Sequence, residues 1–115
     1  MTIDQDLLLV FTGNEIGDGP SDLGETLTDL YLKSLVAAEV RPGRIIFLNS
    51  AIFLTTEGSP VLEHLKTLEA DGTEITSCIT CLTYHDRMER VVVGHRSDMR
   101  ATVDAMTRTS RVITL

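Results

Sequence analysis

Short uninterrupted apolar runs alternate along this chain with longer stretches in which apolar residues recur every three or four positions, the rhythms of buried strands and amphipathic helices. Leu7-Leu8-Leu9-Val10-Phe11 is continuous, as a strand covered on both faces requires, and it gives way to polar, glycine-bearing sequence from Thr12 to Pro20. Asp22 can cap a helix with Glu25 three residues on, and Leu23, Leu27, Leu30, Tyr31 and Leu35 then share one face. Arg41-Pro42-Gly43 closes that unit, and Ile45-Ile46-Phe47-Leu48 is a second buried strand. Strand, helix and strand within about 45 residues is the scale of a crossover joining parallel strands.

A connection from Asn49 to Gly58 follows, with Ser59 as N-cap, Pro60 at the first helical position and Val61, Leu62, Leu65 and Leu68 as the apolar face. Asp71-Gly72 stops this helix and Thr73 to Ser77 forms a short third strand. The spacing then predicts a short helix from Cys81 to about Met88 and a fourth strand over Arg90 to Val93. It predicts a helix over Asp98 to Arg108 with Met99, Val103 and Met106 inward, and a fifth strand over Val112 to Leu115. Such alternation gives one domain over residues 1 to 115, a three-layer α/β/α arrangement with a mainly parallel five-stranded sheet. Ligands in such sheets gather outside the carboxyl ends of the strands, where the loops Thr12 to Ser21, Asn49 to Gly58 and Ser77 to Cys81 are expected to meet.

Charge narrows the partners. The net charge of −7 opposes binding to a phosphate backbone, so nucleic acid is not an expected partner. No apolar run approaches the ~20 residues that span a bilayer, and the acidic start Met1-Thr2-Ile3-Asp4-Gln5-Asp6 lacks a basic signal-peptide region, so the expected location is cytoplasmic. Residues 1 to 81 carry 4 basic and 13 acidic groups against 6 and 4 in residues 82 to 115, so Arg87, Arg90, Arg96, Arg100, His85 and His95 can supply a positive field beside the cysteines. The alternative is that they are solvated helix residues.

Both cysteines lie in Ser77-Cys78-Ile79-Thr80-Cys81-Leu82, where a strand passes into a helix. Unpaired amides and the helix macrodipole favour a thiolate at such a junction. Four readings fit a C-x-x-C here. One cysteine can carry sulfur as a persulfide while the other resolves or tunes it. The pair can be a thioredoxin-like dithiol, although the motif falls late in the chain and no Trp accompanies it. Cys78, Cys81, His85 and His95 can form a Cys₂His₂ zinc set, although the spacing matches no familiar module. Both cysteines can instead be buried and inert. His85, one turn beyond Cys81, is a candidate partner for the sulfur. Gly13, Gly17 and Gly19 suggest a pliant loop, with Gly17 and Gly19 on the rim of a thiol pocket; the absence of a following Lys and the presence of Glu15, Asp18 and Asp22 argue against a nucleotide. Asn49, Ser50 and Glu57 are candidates for hydrogen bonding a ligand.

These residues also carry a resemblance. Gly17-x-Gly19 with Leu23-Gly24, Ile45-Ile46-Phe47-Leu48-Asn49-Ser50, Glu57-Gly58-Ser59-Pro60-Val61-Leu62, Cys78-x-x-Cys81-Leu82, Val93-Gly94 and Ser97-x-Met99 are similar, in order, to the DsrE-like domain of YedF-type, sulfurtransferase-like selenium-metabolism proteins. The resemblance implies a DsrE-like α/β fold and assembly into trimers or hexamers, a dimer being the smaller alternative. It implies relay of sulfane sulfur or selenium between proteins with no metal or organic cofactor, and a carrier cysteine after the third strand, Cys78 before Cys81. Relatives commonly carry an N-terminal TusA-like domain, which has no counterpart in this sequence, so the expected donor and acceptor are separate proteins, such as a TusA-like carrier. They usually have Gly between the cysteines where this chain has Ile79, a β-branched residue that resists positive φ. Both departures favour the rival expectation, a non-catalytic binding or assembly module that keeps the fold.

Overall fold

The computed structural model describes residues 1–115. Five strands, β1 (Thr2–Phe11), β2 (Val40–Phe47), β3 (Glu74–Cys78), β4 (His95–Ser97) and β5 (Arg111–Thr114), form one sheet in the order β4-β3-β2-β1-β5, with every pairing parallel. Helices α1 (Ser21–Val36) and α2 (Leu62–Ala70) cover one face, α4 (Met99–Arg108) the other, and the short α3 (Ile79–Tyr84) follows β3 directly. The main core joins Leu9, Phe11, Ile45, Phe47 and Ile75 of the sheet to Leu32 of α1 and Leu65 and Leu68 of α2. Leu8, Val10 and Ile46 point the opposite way, against Ala105 of α4 and Val112. The three-layer parallel α/β architecture expected from the sequence is therefore the one observed.

Several boundaries differ from the pattern-based expectation, each for a local reason. Arg41-Pro42-Gly43 does not end the first unit but lies inside β2. Arg41 is buried and its guanidinium bonds Asp71 at 2.6 Å and the Val36 carbonyl, tying the ends of α1 and α2 to the strand. Opposite Gly43 the β1–β2 register slips between Asp4 and Leu8, and a Cβ on Gly43 would lie 2.9 Å from the Gln5 Cα. The slip accounts for the polar opening of β1: the apolar run Leu7–Phe11 is only its buried half. Asn49–Leu54 is not an open connection; it forms a 3-10 turn that buries Ala51, Ile52 and Leu54. α2 starts at Leu62, with Ser59 Oγ accepting from the Val61 amide just ahead of it.

Two helices turn the other way round. On α1 the inward residues are Gly24, Thr28 and Leu32, flanked by Tyr31 and Leu35, while Leu23, Leu27 and Leu30 are exposed. The loop after β1 lies so close that a Cβ on Gly24 would sit 2.7 Å from the Glu15 Cβ, and Thr28 Oγ1 donates to the Asn14 carbonyl at 3.2 Å. Close approach selects small residues, which a count of apolar side chains passes over. On α4 the buried residue is Thr102, and Met99, Val103 and Met106 are exposed rather than inward. Its cap is as expected, with Asp98 Oδ1 accepting from the Ala101 amide at 2.9 Å.

The fourth strand is displaced as well. Val91 makes an isolated antiparallel bridge to Thr56, and the Val92 and Val93 amides donate to the Thr55 carbonyl. The run Arg90 to Val93 thus packs on the turn after the 3-10 segment, with Val93 buried. After Gly94, at φ +76°, the polar triplet His95–Ser97 becomes the edge strand β4. Charged side chains at an edge are a usual defence against pairing with other chains.

Candidate functional site

At the carboxyl end of the sheet, the segments after β2, β3 and β4 enclose a shallow, mostly apolar depression of ≈ 400 Å³ lined by Leu48, Asn49, Thr80, Cys81, Tyr84 and Met99. Its position follows from the chain direction: parallel strands bring all their exits to one edge. Cys78 ends β3 and caps α3, so the helix begins at Ile79, two residues earlier than expected, and Cys81 occupies its first turn. Ile79 enters that turn without positive φ, so the β-branched side chain does not distort the junction; it simply stands half-exposed.

The two sulfurs differ in access. Cys78 is 2 % exposed, whereas Cys81 is partly exposed in the depression. The Asn49 amide donates to Cys81 Sγ at 3.0 Å, across 32 residues of sequence. Asn49 presents that amide from the left-handed region, φ 54°, which Asn tolerates better than other side-chain-bearing residues. Burial pushes the Cys81 thiol above its ordinary value of 9.0, the adjoining Cys78 thiol adds to the rise, and the Asn49 amide opposes it. The resting sulfur is thus a neutral thiol at pH 7.

The expected cationic surround does not form at the thiols. Arg87 donates to Thr56 Oγ1 and the Glu57 carbonyl and lies 4.7 Å over the Phe53 ring. Arg96 bonds the Met88 carbonyl, and His95 faces Glu74 at 3.7 Å. His85 packs its ring 4.7 Å from that of Phe53 and does not line the depression. No three His, Cys, Asp or Glu side chains approach closely enough to hold a metal ion, which leaves the Cys₂His₂ alternative without a site.

The remaining candidates divide. Asn49 joins Cys81, and through its backbone rather than its side chain. Ser50 lies beside Gly13, whose Cβ position would be 3.4 Å from Ser50 Oγ. Glu57 belongs to a second depression of ≈ 300 Å³, shared with Asn14, Glu25, Phe53 and Arg87, which contains neither cysteine. Gly17, at φ +85°, and Gly19 face open space and line neither depression. Tyr84, 85 % exposed, and Met99 line the thiol depression and were not anticipated. Only the outward turn of Met99 brings it there, and no periodicity signals that.

No family model and no curated protein matches the sequence. Solved structures do match. The YchN protein from E. coli superposes with a TM-score of 0.67 at 14% identity, covering 97% of this chain and 100% of its own. MTH1491 from Methanobacterium thermoautotrophicum, a protein of unknown function, superposes with a TM-score of 0.72 at 14% identity over the same shares. At that identity the likeness establishes the fold alone, an α/β fold with a five-stranded parallel sheet, and leaves the chemistry to the residues of this chain. No helix is long and apolar enough to cross a membrane.

Proposed function

We propose that this protein carries sulfane sulfur, or selenium, as a persulfide on Cys81. The observation that carries the reading is the amide of Asn49 donating to a partly exposed Cys81 sulfur in an open depression. A donor persulfide R–S–S⁻ is attacked at its terminal sulfur by the Cys81 thiolate, forming Cys81–S–S⁻ and releasing R–S⁻. Attack of an acceptor thiolate on the outer sulfur of Cys81–S–S⁻ returns Cys81 as thiolate. Neither step needs a metal or organic cofactor. The small thiolate fraction at neutral pH slows loading, but a thiolate of high pKa is the stronger nucleophile once formed. Donor and acceptor are separate proteins such as a TusA-like carrier, and the neutral lining of Leu48, Thr80, Tyr84 and Met99 suits an apolar segment of such a partner.

Incubation with a persulfide donor followed by intact mass measurement tests this. One added sulfur, about 32 Da, is expected on Cys78→Ala and, at early times, on the native protein, and none on Cys81→Ser. Loading should accelerate by about tenfold per pH unit and level off only above pH 9.0, because the ionised fraction grows until the raised pKa is passed. Native protein and Cys78→Ala that both stay at the dithiol mass would transfer the assignment to a binding or assembly module.

A specific observation favours assembly as an accompanying role. Leu23, Leu27 and Leu30 on α1 and Met99, Val103 and Met106 on α4 form two exposed apolar stripes. These seat further copies of the chain in a trimer or hexamer. Light scattering during size exclusion should give a multiple of the 12.7 kDa chain mass, and Val103→Lys should lower it. A native monomer at all concentrations would remove this role.

A further inference from the structure

We infer that Cys78 is a resolving thiol, which discharges a persulfide on Cys81 when no acceptor takes it, releasing sulfide and leaving a Cys78–Cys81 disulfide. The inference rests on the proposed carriage of sulfur by Cys81 and adds an activity to the same site. Cys78 ends β3 and caps α3, and Cys81 stands three residues on in the first turn of that helix. Side chains at that spacing on a helix lie about 5–6 Å apart at Cβ, against about 3.5–4.5 Å in a disulfide, so closing the bond takes a shift of about 1–2 Å at the start of the helix.

Direction of access supplies the second observation. Cys78 is 2 % exposed, whereas Cys81 opens into the depression between Asn49, Tyr84 and Met99. A terminal sulfur added to Cys81 has room in that depression. In-line displacement at the inner sulfur calls for attack from the side away from that opening, and Cys78 is the buried one of the pair. The balance is Cys78–SH + Cys81–S–SH → Cys78–S–S–Cys81 + H₂S. The Cys78 sulfur bonds to the inner sulfur of the persulfide, and the S–S bond to the terminal sulfur breaks. The terminal atom departs with the electron pair and is reduced to sulfide, while the Cys78 sulfur is oxidised; the Cys81 sulfur is already at the disulfide level in the persulfide. The proton from Cys78 and the one already on the terminal sulfur leave as H₂S. Two equivalents of a small thiol reductant restore the dithiol by exchange, so that the pair turns over as a persulfide reductase.

Burial of Cys78 serves this chemistry by keeping external persulfides from it, so loading is directed to Cys81. A buried cysteine also serves as a plain apolar filler, and the experiment separates the two. The protein is loaded with inorganic polysulfide and freed of excess by desalting. Intact mass and released sulfide are then followed without reductant. The native protein should lose its added sulfur, arrive about 2 Da below the dithiol mass and release sulfide in step. Cys78→Ser should hold the added sulfur at least about tenfold longer and release none in that time. If that variant folds poorly, peptide mapping of the native protein for a Cys78–Cys81 cross-link after loading gives the same answer. Equal lifetimes in native and variant protein, or a native adduct that decays with no lighter species and no cross-link, would overturn the resolving role while leaving carriage intact. Absence of an adduct on both proteins would overturn carriage itself, and this inference with it.

Discussion

Gly94→Ala is expected to lower stability by about 3–5 kcal/mol, which for a domain of this size is a fall in thermal midpoint of roughly 10 °C or more. Two causes add. Gly94 sits at φ +76°, where an L side chain costs about 1–2 kcal/mol. The larger cause is contact: an added Cβ would lie 2.3 Å from the Ile75 carbonyl oxygen and 2.8 Å from its carbonyl carbon. Those atoms belong to the backbone of β3 and cannot swing aside as the tip of a side chain can. Relief has to come from moving the segment off the strand, which also disturbs the bond from the Gly94 amide to Glu69 and the seating of β4. Gly58→Ala supplies the control, since Gly58 has φ +90° but nothing within 4 Å of its Cβ position. It should cost only the conformational share. Thermal or urea unfolding of the two variants decides: equal losses would mean that Gly94 does not approach β3 as described.

Phe47→Ala is expected to cost about 3–5 kcal/mol, and Phe47→Leu appreciably less. Phe47 is wholly buried and stacks on Phe11 with ring centroids 5.3 Å apart, and Phe11 in turn meets Tyr31 edge-on at 6.1 Å. Deleting the ring opens a void between β1, β2 and α1 that rigid strands on both sides cannot close. The substitution also reaches the candidate site, because Leu48 and Asn49 follow directly and the Asn49 amide holds the Cys81 sulfur. A faster reaction of Cys81 with iodoacetamide should accompany the loss of stability, more so in Phe47→Ala than in Phe47→Leu. Unfolding by urea gives the first effect and thiol alkylation at fixed pH the second; a loss below about 1 kcal/mol would contradict the burial of Phe47.

Apolar periodicity made most of the fold legible, and it failed where close packing used small or polar residues. The runs Leu8–Phe11 and Ile45–Phe47 are buried because a parallel sheet covered on both faces favours apolar side chains at successive positions. Helix orientation was less legible. Gly24 and Thr28 on α1, and Thr102 on α4, are the contact residues because those helices lie close to their neighbours, so the bulkier stripes face outward. The run Val91–Val93 reads as a strand by composition, yet it pairs with the Thr55–Thr56 turn.

The candidate site was legible as a motif and not as an environment. The C-x-x-C at a strand-to-helix junction is a local fact, visible in ten residues. Its electrostatics are not local. Arg87 is drawn to Thr56, the Glu57 carbonyl and the Phe53 ring, and Arg96 to the Met88 carbonyl, so neither makes the expected cationic contact with sulfur.

By itself the sequence determined the alternation of strand and helix, the parallel α/β architecture and the presence of one thiol pair at the strand exits, because these follow from the period of apolar residues and from chain direction. Tertiary structure alone decided which sulfur is reachable, that the Asn49 amide rather than a cation meets it, and which helix stripes face outward. Those properties depend on residues brought together across 32 positions or more, and on the closeness of packing, which no pattern along the chain encodes.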